Sequence, residues 1–600
     1  MYVKFLSKSL KVIAILKHIF NFKTLFKFAF LLSFLGFIVL ISDFGYNQSE
    51  PIQELINGYY FIVLSVGVIV TAIRYITLKK NIHDKVFIFD VASLLIIIFV
   101  IFVHFISPEA HRHITFLYND NWVKFAILLT FIREFAEQKL NYKRAVLNPA
   151  QLFIASFLGI IFLGTFLLML PNATYTEISF LDALFTSTSA VCVTGLIVVD
   201  TGSFFTQFGQ TIILILIQVG GIGILTFASY FSYFFKGGSN YENQFVLSDL
   251  TNSQKLGDVF STLKRILIIT FSIELVGGLL IYSSLNSSLL PTFFERAFFS
   301  VFHSVSAFCN AGFSTLPNSL YESGFRFNYA LQSYIIILLV IGGLGFPIVV
   351  NILKYSKYWF INKFMFFSKI TKNYKPWVLS LNSRITLITT FSLTIIGTVL
   401  FYISEYNNTL AAHTGFGKFI TALFGATTPR TAGFNTVDMT ALNFSTIVMI
   451  FLLMWIGASP ASTGGGIKTS TFAIATLNFW SLARGKTRIE VYRREISDIS
   501  VRRAFAVISL SLVVIGSGII AISIFDSDKD LKSIAFECFS AYSTVGLSIG
   551  ITANLSAASK FVLILIMFIG RVSMLSILIA VIKKVKHKNY RYPTEEITIN

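Results

Sequence analysis

The sequence predicts an all-α membrane protein with four repeats around a pseudo-fourfold axis. Each repeat consists of a membrane-spanning helix, a short helix and a second membrane-spanning helix, and about four extra helices precede the repeats. Of the 600 residues, 55% are hydrophobic and 13% are charged, and the mean hydropathy is +0.74, whereas soluble domains carry roughly a quarter charged residues. A hydroxyl-rich apolar segment that ends in glycine recurs four times, with the glycines separated by 117, 121 and 113 residues. A fixed period identifies a repeat architecture. Four copies of one re-entrant segment suggest that each repeat forms one side of a single pore.

The first 149 residues predict an N-terminal region of extra transmembrane helices. Residues 1–23 are basic and half apolar and lack a signal-peptide cleavage site, which favours a cytoplasmic N-terminus. Lys and Arg in the loops 79–85 and 138–149 agree with four crossings that return the chain to the cytoplasm. The apolar runs lie at about 24–42, 58–78, 86–106 and 121–137, each close to the roughly 20 residues that span a bilayer.

Two charges in this region resemble those of a voltage-sensor bundle. Asp90 lies in the third run and Arg133 in the fourth. A voltage sensor needs several arginines at every third position to move gating charge, and the fourth run has one before Lys139 and Lys143. We therefore expect these helices to serve packing, lipid contact or assembly.

The remaining chain divides into four repeats of one plan. Each has an apolar run, a polar segment, a short apolar helix that ends at the glycine, and a second apolar run. The repeats are predicted at 150–236, 264–354, 384–483 and 504–583, followed by a cytoplasmic tail at 584–600. Their paired runs lie near 151–170 and 210–235, 266–283 and 330–353, 385–403 and 445–483, and 504–525 and 560–582.

Charge predicts the orientation of these repeats. The connections 236–265, 354–384 and 484–503 and the tail carry Lys and Arg, whereas acidic residues such as Asp200 and Asp438 collect on the other side. Because cytoplasmic loops carry an excess of Lys and Arg, we expect both termini in the cytoplasm and every short helix facing outward. The formal charge of +19 then follows from topology and does not indicate nucleic-acid binding.

The recurring glycine segments indicate ion conduction. An alkali cation gives up its water where oxygens replace it, and backbone carbonyls do this in narrow filters. Glycine leaves room for the backbone at the axis and permits positive φ, while a short re-entrant helix directs the negative end of its dipole at the ion. The alternative is that each glycine only allows helices to pack closely. That alternative could account for a single glycine, but it does not explain why four occur at the same place in four repeats. These glycine triads are Val193, Thr194 and Gly195; Asn310, Ala311 and Gly312; Thr431, Ala432 and Gly433; and Thr544, Val545 and Gly546.

Residues of about 150–600 resemble the Trk/Ktr/HKT superfamily of potassium transporters, most closely the bacterial Ktr-type membrane (translocating) subunit, with an extra N-terminal region. The segments TSTSAVCVTGL, FHSVSAFCNAGFS, TPRTAGFNT and AYSTVGLS carry this resemblance. It implies four membrane–pore-loop–membrane repeats in which the triads form a potassium filter and their glycines select the ion. Four glycines accompany potassium preference in this superfamily, whereas a serine in the first loop accompanies sodium-permeable plant members. The resemblance thus implies potassium-selective, channel-like uptake across the bacterial inner membrane.

The triads themselves are imperfectly symmetric. The triad of Thr544 is nearest to the potassium-channel signature, whereas Asn310 and Val193 replace the threonine in two other copies. We therefore expect fewer well-formed ion sites than in a tetrameric potassium channel.

A helix break is predicted in repeat 3. The run 445–483 is too long for one span, and its proline and glycines do not hold a regular helix cheaply. A simple kink would need only the proline, so the cluster of small residues favours a loop beneath the triads, which the resemblance identifies as an intramembrane gating loop. The predicted gate residues in this loop are Gly457, Pro460, Gly464, Gly465, Gly466 and Lys468.

Arg571 completes the predicted gate. It follows eleven residues of an apolar run that begins at 560, where charge is expensive and indicates function by default. The resemblance places an arginine here near the pore, where it opposes the cation or holds the gating loop. The alternative is an ion pair with a buried acid, for which Glu274 is the candidate.

Regulation is expected to come from another chain. The sequence has no Walker loop, no dinucleotide-binding strand–helix unit and no catalytic triad, so it does not indicate an enzyme. The resemblance implies a homodimer docked on a cytosolic ring of RCK-type subunits that bind ATP/ADP or NAD, with the loops 354–384 and 484–503 and the tail as docking surfaces. The cysteines Cys192, Cys309 and Cys538 are interpreted as small buried core residues.

Two alternatives stay open at this point. The same fold suits a sodium-permeable or ion-coupled potassium symporter, because the filter is compatible with both passive and sodium- or proton-coupled flow. A membrane sensor or scaffold with a vestigial pore is the alternative from another class, and it would keep its function after substitution of a triad glycine.

Overall fold

The computed structural model describes residues 22–78, 85–106, 119–137, 149–223, 259–286, 289–367, 379–582 and 595. Several sequence-based expectations concern segments outside these residues. They are the basic N-terminal segment up to residue 21, most of the loops 79–85, 138–149 and 236–265, part of 354–384 and nearly all of the tail.

The N-terminal region folds as a bundle of four helices around a core that contains Tyr60, Leu64 and Ile97. Two buried ion pairs join its helices, Arg74 to Glu134 at 2.7 Å and Arg133 to Asp90 at 3.0 Å. The helices are α1 (Phe22–Gly45), α2 (Glu50–Leu78), α3 (Lys85–Val100, extended by a π-helical segment Ile101–Ile106) and α4 (Asp120–Glu137).

This N-terminal bundle rests on repeat 1. The Asn172 side-chain amide donates a hydrogen bond to the Phe44 carbonyl at 3.1 Å, and the Phe44 ring stacks on Phe208 with 5.7 Å between ring centroids. The bundle is therefore attached to the repeats through the end of α1.

The four repeats share one order of helices: a long first helix, a short helix and a second helix. Repeat 1 comprises α5 (Pro149–Leu168), α6 (Phe180–Val191) and α7 (Gln207–Ile222); repeat 2 comprises α8 (Val259–Ser284), α9 (Phe293–Phe308), α10 (Tyr329–Leu344) and α11 (Phe346–Phe367). Repeat 3 comprises α12 (Leu381–Glu405), α13 (Phe416–Thr427), α14 (Phe444–Trp455) and α15 (Thr469–Ala483); repeat 4 comprises α16 (Asp498–Phe525), α17 (Leu531–Ser543), α18 (Ala557–Val572) and α19 (Met574–Val581). Between repeats 3 and 4, β1 (Glu490–Val491) and β2 (Arg494–Glu495) pair antiparallel.

Local signals explain where the short helices of repeats 1 and 2 begin. The Ser179 hydroxyl accepts the backbone N–H of Asp182 at the start of α6, and Thr292 with Glu295 forms a capping box at the start of α9. Such caps satisfy N–H groups that a helix leaves unpaired. The same caps place an acidic side chain in the first turn, where the helix dipole favours it.

The repeats close into a ring. The second helix of each repeat packs against the short helix of the next: α7 on α9, α10 on α13, and α14 on α17. The last repeat returns to the first, because α18 packs on α6, and the Gln151 side-chain amide of α5 donates to the Ala580 carbonyl at 3.0 Å. The arrangement is the predicted pseudo-fourfold one.

The second helices of repeats 1, 2 and 4 also end at left-handed residues, in addition to the break that the sequence predicts in repeat 3. The helix α7 ends at Gly223, α10 at Gly345 and α18 at Ser573, with φ angles of 87°, 81° and 74°. In repeat 2 the chain turns by 105° between α10 and α11. A residue in the left-handed conformation commonly ends an α-helix, and the sequence analysis identified such an interruption in repeat 3 only.

The helices of the described residues include six that are long and apolar enough to cross a membrane, or up to seven if the bent pair is one span. The second helices of repeats 2, 3 and 4 are each described as two shorter helices with an interruption between them. The all-α membrane class predicted from the sequence is confirmed.

Candidate functional site

The four glycine triads meet at the centre of the ring. A Cβ atom on each triad glycine would overlap the backbone of the next triad in order, so the close approach requires glycine. The contacts run from Gly195 to the Ala311 carbonyl oxygen, from Gly312 to that of Ala432, from Gly433 to that of Val545, and from Gly546 to that of Thr194. The triads therefore form a closed ring of backbone, with one repeat at each corner.

Each triad has a left-handed residue at its first and third positions. The first residues are Val193, Asn310, Thr431 and Thr544, with φ angles of 57°, 59°, 68° and 49°, and the glycines have φ angles of 89°, 72°, 81° and 91°. This conformation is unfavourable for β-branched residues such as valine and threonine. Backbone strain of this kind is held by the surrounding structure and concentrates at functional sites.

Hydroxyl groups in the last turns of the short helices hold the triads, and sequence reasoning missed them. The Ser189 and Ser540 hydroxyls accept the N–H groups of Gly195 and Gly546 at 3.0 and 3.1 Å. The equivalent Ser306 and Thr428 hydroxyls instead donate to the carbonyls of Phe313 and Phe434 at 2.7 and 2.5 Å. The recurrence of a hydroxyl five or six residues before every triad glycine was the available signal.

Several triad hydroxyls are buried without a partner. Thr194, Thr431 and Thr544 are fully buried, and their Oγ1 atoms have no hydrogen-bond partner among the residues that the structure describes. A buried hydroxyl without a partner is rare and calls for an explanation such as an ion or water. These oxygens are available to a cation in the ring.

A cavity of about 470 Å³ opens on one side of the ring. All four triad glycines line it, together with the carboxylates Asp200 and Asp438. No Lys or Arg occurs among the described residues that line this vestibule. Its charge therefore favours cations over anions.

The predicted loop of repeat 3 lies against the first residues of the triads. A Cβ on Gly464 would overlap the Thr431 hydroxyl, and one on Gly465 would overlap that of Thr544. The Thr463 hydroxyl lies 3.2 Å from Asn310 Oδ1, which belongs to the triad of repeat 2. The loop between α14 and α15 thus contacts three of the four corners.

Backbone hydrogen bonds keep this loop compact. The N–H of Ile467 donates to the Trp455 carbonyl at 3.1 Å, and that of Ser459 donates to the Gly343 carbonyl at 2.9 Å. Gly457 lies against the Gly465 carbonyl, and the Gly345 backbone lies against Pro460. Gly466, with a φ of 66°, precedes the final turn into α15.

Two cations flank the loop. The Lys468 ammonium donates to the Gly464 carbonyl at 2.6 Å. Arg571 is partly buried and donates to the carbonyls of Thr463 in the loop and Gly220 in α7. The guanidinium therefore bridges the loop to repeat 1 from its position in repeat 4.

Glu274 does not hydrogen-bond to Arg571. Its carboxylate accepts the Gln218 amide at 3.0 and 3.1 Å, and Cys309 Sγ lies 4.0 Å from it. The alternative that Arg571 merely pairs with Glu274 is thus not what the structure has. All three cysteines are buried and unbridged, in agreement with their interpretation as core residues.

A second set of glycines lies where each second helix meets the end of a short helix. A Cβ on Gly220, Gly342 or Gly570 would overlap the carbonyl of Val191, Phe308 or Tyr542, respectively. Sequence reasoning did not assign this contact. Arg571 directly follows Gly570, where repeats 1 and 2 have a second glycine and repeat 3 has an alanine.

The fold and this site define a membrane protein of the pore-loop class that transports cations. The chain belongs to the TrkH family of cation transport proteins, whose family model matches residues 120–592. The recognition of this superfamily from the triads is confirmed, and the relatives named below are transporters, not enzymes.

The chain is similar to two curated relatives along nearly their whole length. It is 36% identical over 454 residues to the Ktr system potassium uptake protein B of Bacillus subtilis, covering 75% of this chain and 96% of the relative. It is 34% identical over 466 residues to the potassium/sodium uptake protein NtpJ of Enterococcus hirae, covering 76% and 98%.

A solved structure shares the fold. The potassium transporter TrkH from Vibrio parahaemolyticus matches with a TM-score of 0.58 and 18% identity, over 82% of this chain and 97% of that chain. The likeness at this identity concerns the fold alone.

Proposed function

We propose that this protein mediates potassium-selective, channel-like uptake across the bacterial inner membrane. The observation that carries the proposal is the closed ring of four glycine triads with unpartnered threonine hydroxyls beneath an acidic vestibule. Backbone carbonyls and hydroxyls are the oxygens that replace the hydration shell of an alkali cation. The four-glycine ring and the potassium uptake protein of Bacillus subtilis both favour potassium.

The triads are assigned as the potassium filter, from Val193–Gly195 to Thr544–Gly546. The left-handed φ angles of their first and third residues support a backbone that turns its carbonyls toward the axis. The short helices end at the ring and direct the negative ends of their dipoles at the ion. The domain boundaries given by the sequence are kept as part of this proposal.

The loop between α14 and α15 is assigned as the gate, with Lys468 and Arg571 as its charged flanks. Its glycines lie against the first triad residues, so the loop obstructs the pathway in the present conformation. Arg571 holds the loop to Gly220 and also repels cations beneath the filter. Opening requires the loop to leave Thr431 and Thr544.

A cytosolic partner is proposed to move this gate. The relative in Bacillus subtilis belongs to a named Ktr system, which supports a second component. We assign a homodimer on a ring of RCK-type subunits that binds ATP/ADP or NAD, with both termini and the basic connections in the cytoplasm. The cationic hairpin of β1 and β2, with Arg488 and Arg494, is one exposed surface for that contact.

The second candidate function is sodium-permeable or ion-coupled potassium transport. The name of the Enterococcus relative, a potassium/sodium uptake protein, favours it. The two functions differ in sodium competition and in whether potassium accumulates against its electrochemical gradient.

Potassium uptake in bacteria that lack their own uptake systems tests the proposal. The wild type and Gly312→Ser are expressed with and without an RCK-type subunit, and potassium uptake and its inhibition by sodium are measured. We expect rescue at low potassium by the wild type and loss or a shift toward sodium in the variant, since a serine at φ 72° also overlaps Ala432. Absence of rescue by membrane-inserted wild type with its partner favours a sensor or scaffold.

A further inference from the structure

Two ionisable side chains lie behind the triads at equivalent positions of repeats 2 and 4. His303 and Glu537 each precede the triad glycine by nine residues, and both are fully buried. A buried phenylalanine comes immediately before this position in repeats 1, 2 and 4, ten residues before the triad glycine, whereas in repeat 3 the phenylalanine precedes its glycine by nine residues. In repeat 3 the equivalent position is therefore taken from the phenylalanine. These phenylalanines are Phe185, Phe302, Phe424 and Phe536.

His303 links its short helix to the segment that follows the triad. Its Nδ1 lies 2.9 Å from the Phe299 carbonyl oxygen, and its Nε2 lies 2.9 Å from the Ser314 hydroxyl. A carbonyl oxygen only accepts, so Nδ1 carries a proton, and Nε2 of the neutral imidazole would accept from the Ser314 hydroxyl. Ser314, two residues after Gly312, also accepts the Leu316 N–H at 3.0 Å.

Glu537 makes the same link in repeat 4. Its carboxylate accepts the Ser548 hydroxyl at 2.5 Å and the Thr552 hydroxyl at 2.9 Å. Ser548, two residues after Gly546, also accepts the Gly550 N–H at 2.8 Å. The two serines therefore occupy equivalent positions, and each is held from behind by a different ionisable group.

Repeats 1 and 3 lack this link. The equivalent residue of repeat 1 is Thr186, whose hydroxyl donates to the Asp182 carbonyl of its own helix at 2.9 Å, and Ile197 stands at the serine position. In repeat 3 the equivalents are Gly425 and Asn435. Since the repeats follow one another around the ring, the two links lie diagonally across the pore.

The links end at the wall of the vestibule. Ser314, Ser548 and Thr552 line the same cavity as the four triad glycines. Fixing a serine two residues after a triad glycine restrains the carbonyl of that glycine, since only one residue lies between them. These side-chain links, which we call braces, therefore restrain the outer end of the proposed filter in repeats 2 and 4, which face each other across the ring, and not in repeats 1 and 3.

We propose that His303 and Glu537 are positioning residues that set the spacing of the outer filter carbonyls and thereby the discrimination of potassium from sodium. The inference rests on the proposed potassium function and deepens it. Selectivity is a difference between two affinities. If the triads of repeats 2 and 4 are less restrained, their carbonyls can move closer together and coordinate sodium, the smaller ion, which reduces that difference. The braces change the ratio of the ions more than the uptake of potassium itself.

The test measures uptake of rubidium, as a potassium probe, and its inhibition by sodium in cells that express full-length protein. Glu537→Val and His303→Val each remove one brace, and we expect the inhibition constant for sodium to fall about tenfold, the value of one hydrogen bond of about 1.4 kcal/mol. Glu537→Gln retains a polar side chain that can hold Ser548, and we expect it to recover most of the discrimination. Thr186→Val is the matched control, and we expect it to leave the inhibition constant unchanged.

Ser548→Ala removes the hydrogen bond between Ser548 and Glu537 without altering the buried carboxylate. It therefore tests the proposal even if Glu537→Val does not reach the membrane. Unchanged sodium inhibition in Ser548→Ala or Glu537→Val, with wild-type uptake intact, would refute this inference alone. No uptake by wild-type protein supplied with its partner would refute the proposed potassium function as well. An equal loss of potassium uptake in every variant, including Glu537→Gln, would make the role merely structural and overturn the proposal.

Discussion

Arg571→Ala removes a side chain that bridges the loop between α14 and α15, the proposed gate, to repeat 1. The guanidinium donates to the carbonyls of Thr463 and Gly220, and alanine replaces neither bond. Hydrogen bonds from charged groups contribute about 1.5 kcal/mol or more each. The two together give about 3 kcal/mol, which corresponds to roughly a hundredfold shift between a held and a released loop.

The shift is expected to appear as potassium leak. Proteoliposomes that contain the purified protein without a regulatory subunit are loaded with potassium, and efflux is followed with rubidium as tracer. We expect a large rise in basal flux for Arg571→Ala, because release of the loop and loss of a positive charge both favour passage of a cation. The amount of reconstituted protein is matched between samples.

Arg571→Lys separates the two causes. Lysine keeps the charge, but its single ammonium does not span both carbonyls in the way that the planar guanidinium does. The bridge predicts that lysine leaks nearly as much as alanine, whereas pure repulsion predicts wild-type flux. Wild-type flux in Arg571→Ala would refute the gating role of the residue.

Three further outcomes are expected. Gly570→Ala places a Cβ against the last turn of α17 and should lower uptake strongly at equal membrane levels, whereas Gly516→Ala, which has open space around it, should leave uptake unchanged. Arg74→Met removes the nearer of the two cations of buried Glu134 and leaves Arg133 at 3.7 Å, which should lower the free energy of unfolding in detergent by up to about 3 kcal/mol, and the double variant with Glu134→Gln should regain part of the loss. Burial and two nearby cations lower the pKa of His413, so the unfolded state binds its proton more tightly. The melting temperature should fall as the pH drops below about 6.5, and His413→Gln should reduce that dependence.

The sequence predicts the corners of the site well because their chemistry depends on local residue type. A triad glycine such as Gly433, at φ 81° against the Val545 carbonyl, has no substitute, so the four copies stand out in the sequence. The break at Pro460 is predicted for the same reason, since proline and glycine clusters are poor in any helix.

The remaining features depend on neighbours that the sequence does not reveal. Ser573 ends α18 with a φ of 74°, yet serine is common within helices, so nothing local marked the break. Glu274 is a reasonable partner for Arg571 if only its position along an apolar run is considered. In the structure, however, the Gln218 amide donates to the Glu274 carboxylate. The hydroxyls of Ser189 and Ser540 repeat in the sequence, although only the folded triad shows that they accept glycine N–H groups.

The contact of α18 with α6 joins the last repeat to the first. During synthesis and membrane insertion, repeats 1 to 3 are completed before repeat 4 exists. Until α18 has been synthesised, the side of α6 that packs on α18 in the folded protein faces lipid or the insertion machinery. Closure of the ring is therefore a late event in synthesis, and we expect a chain that ends before α18 to leave the ring open.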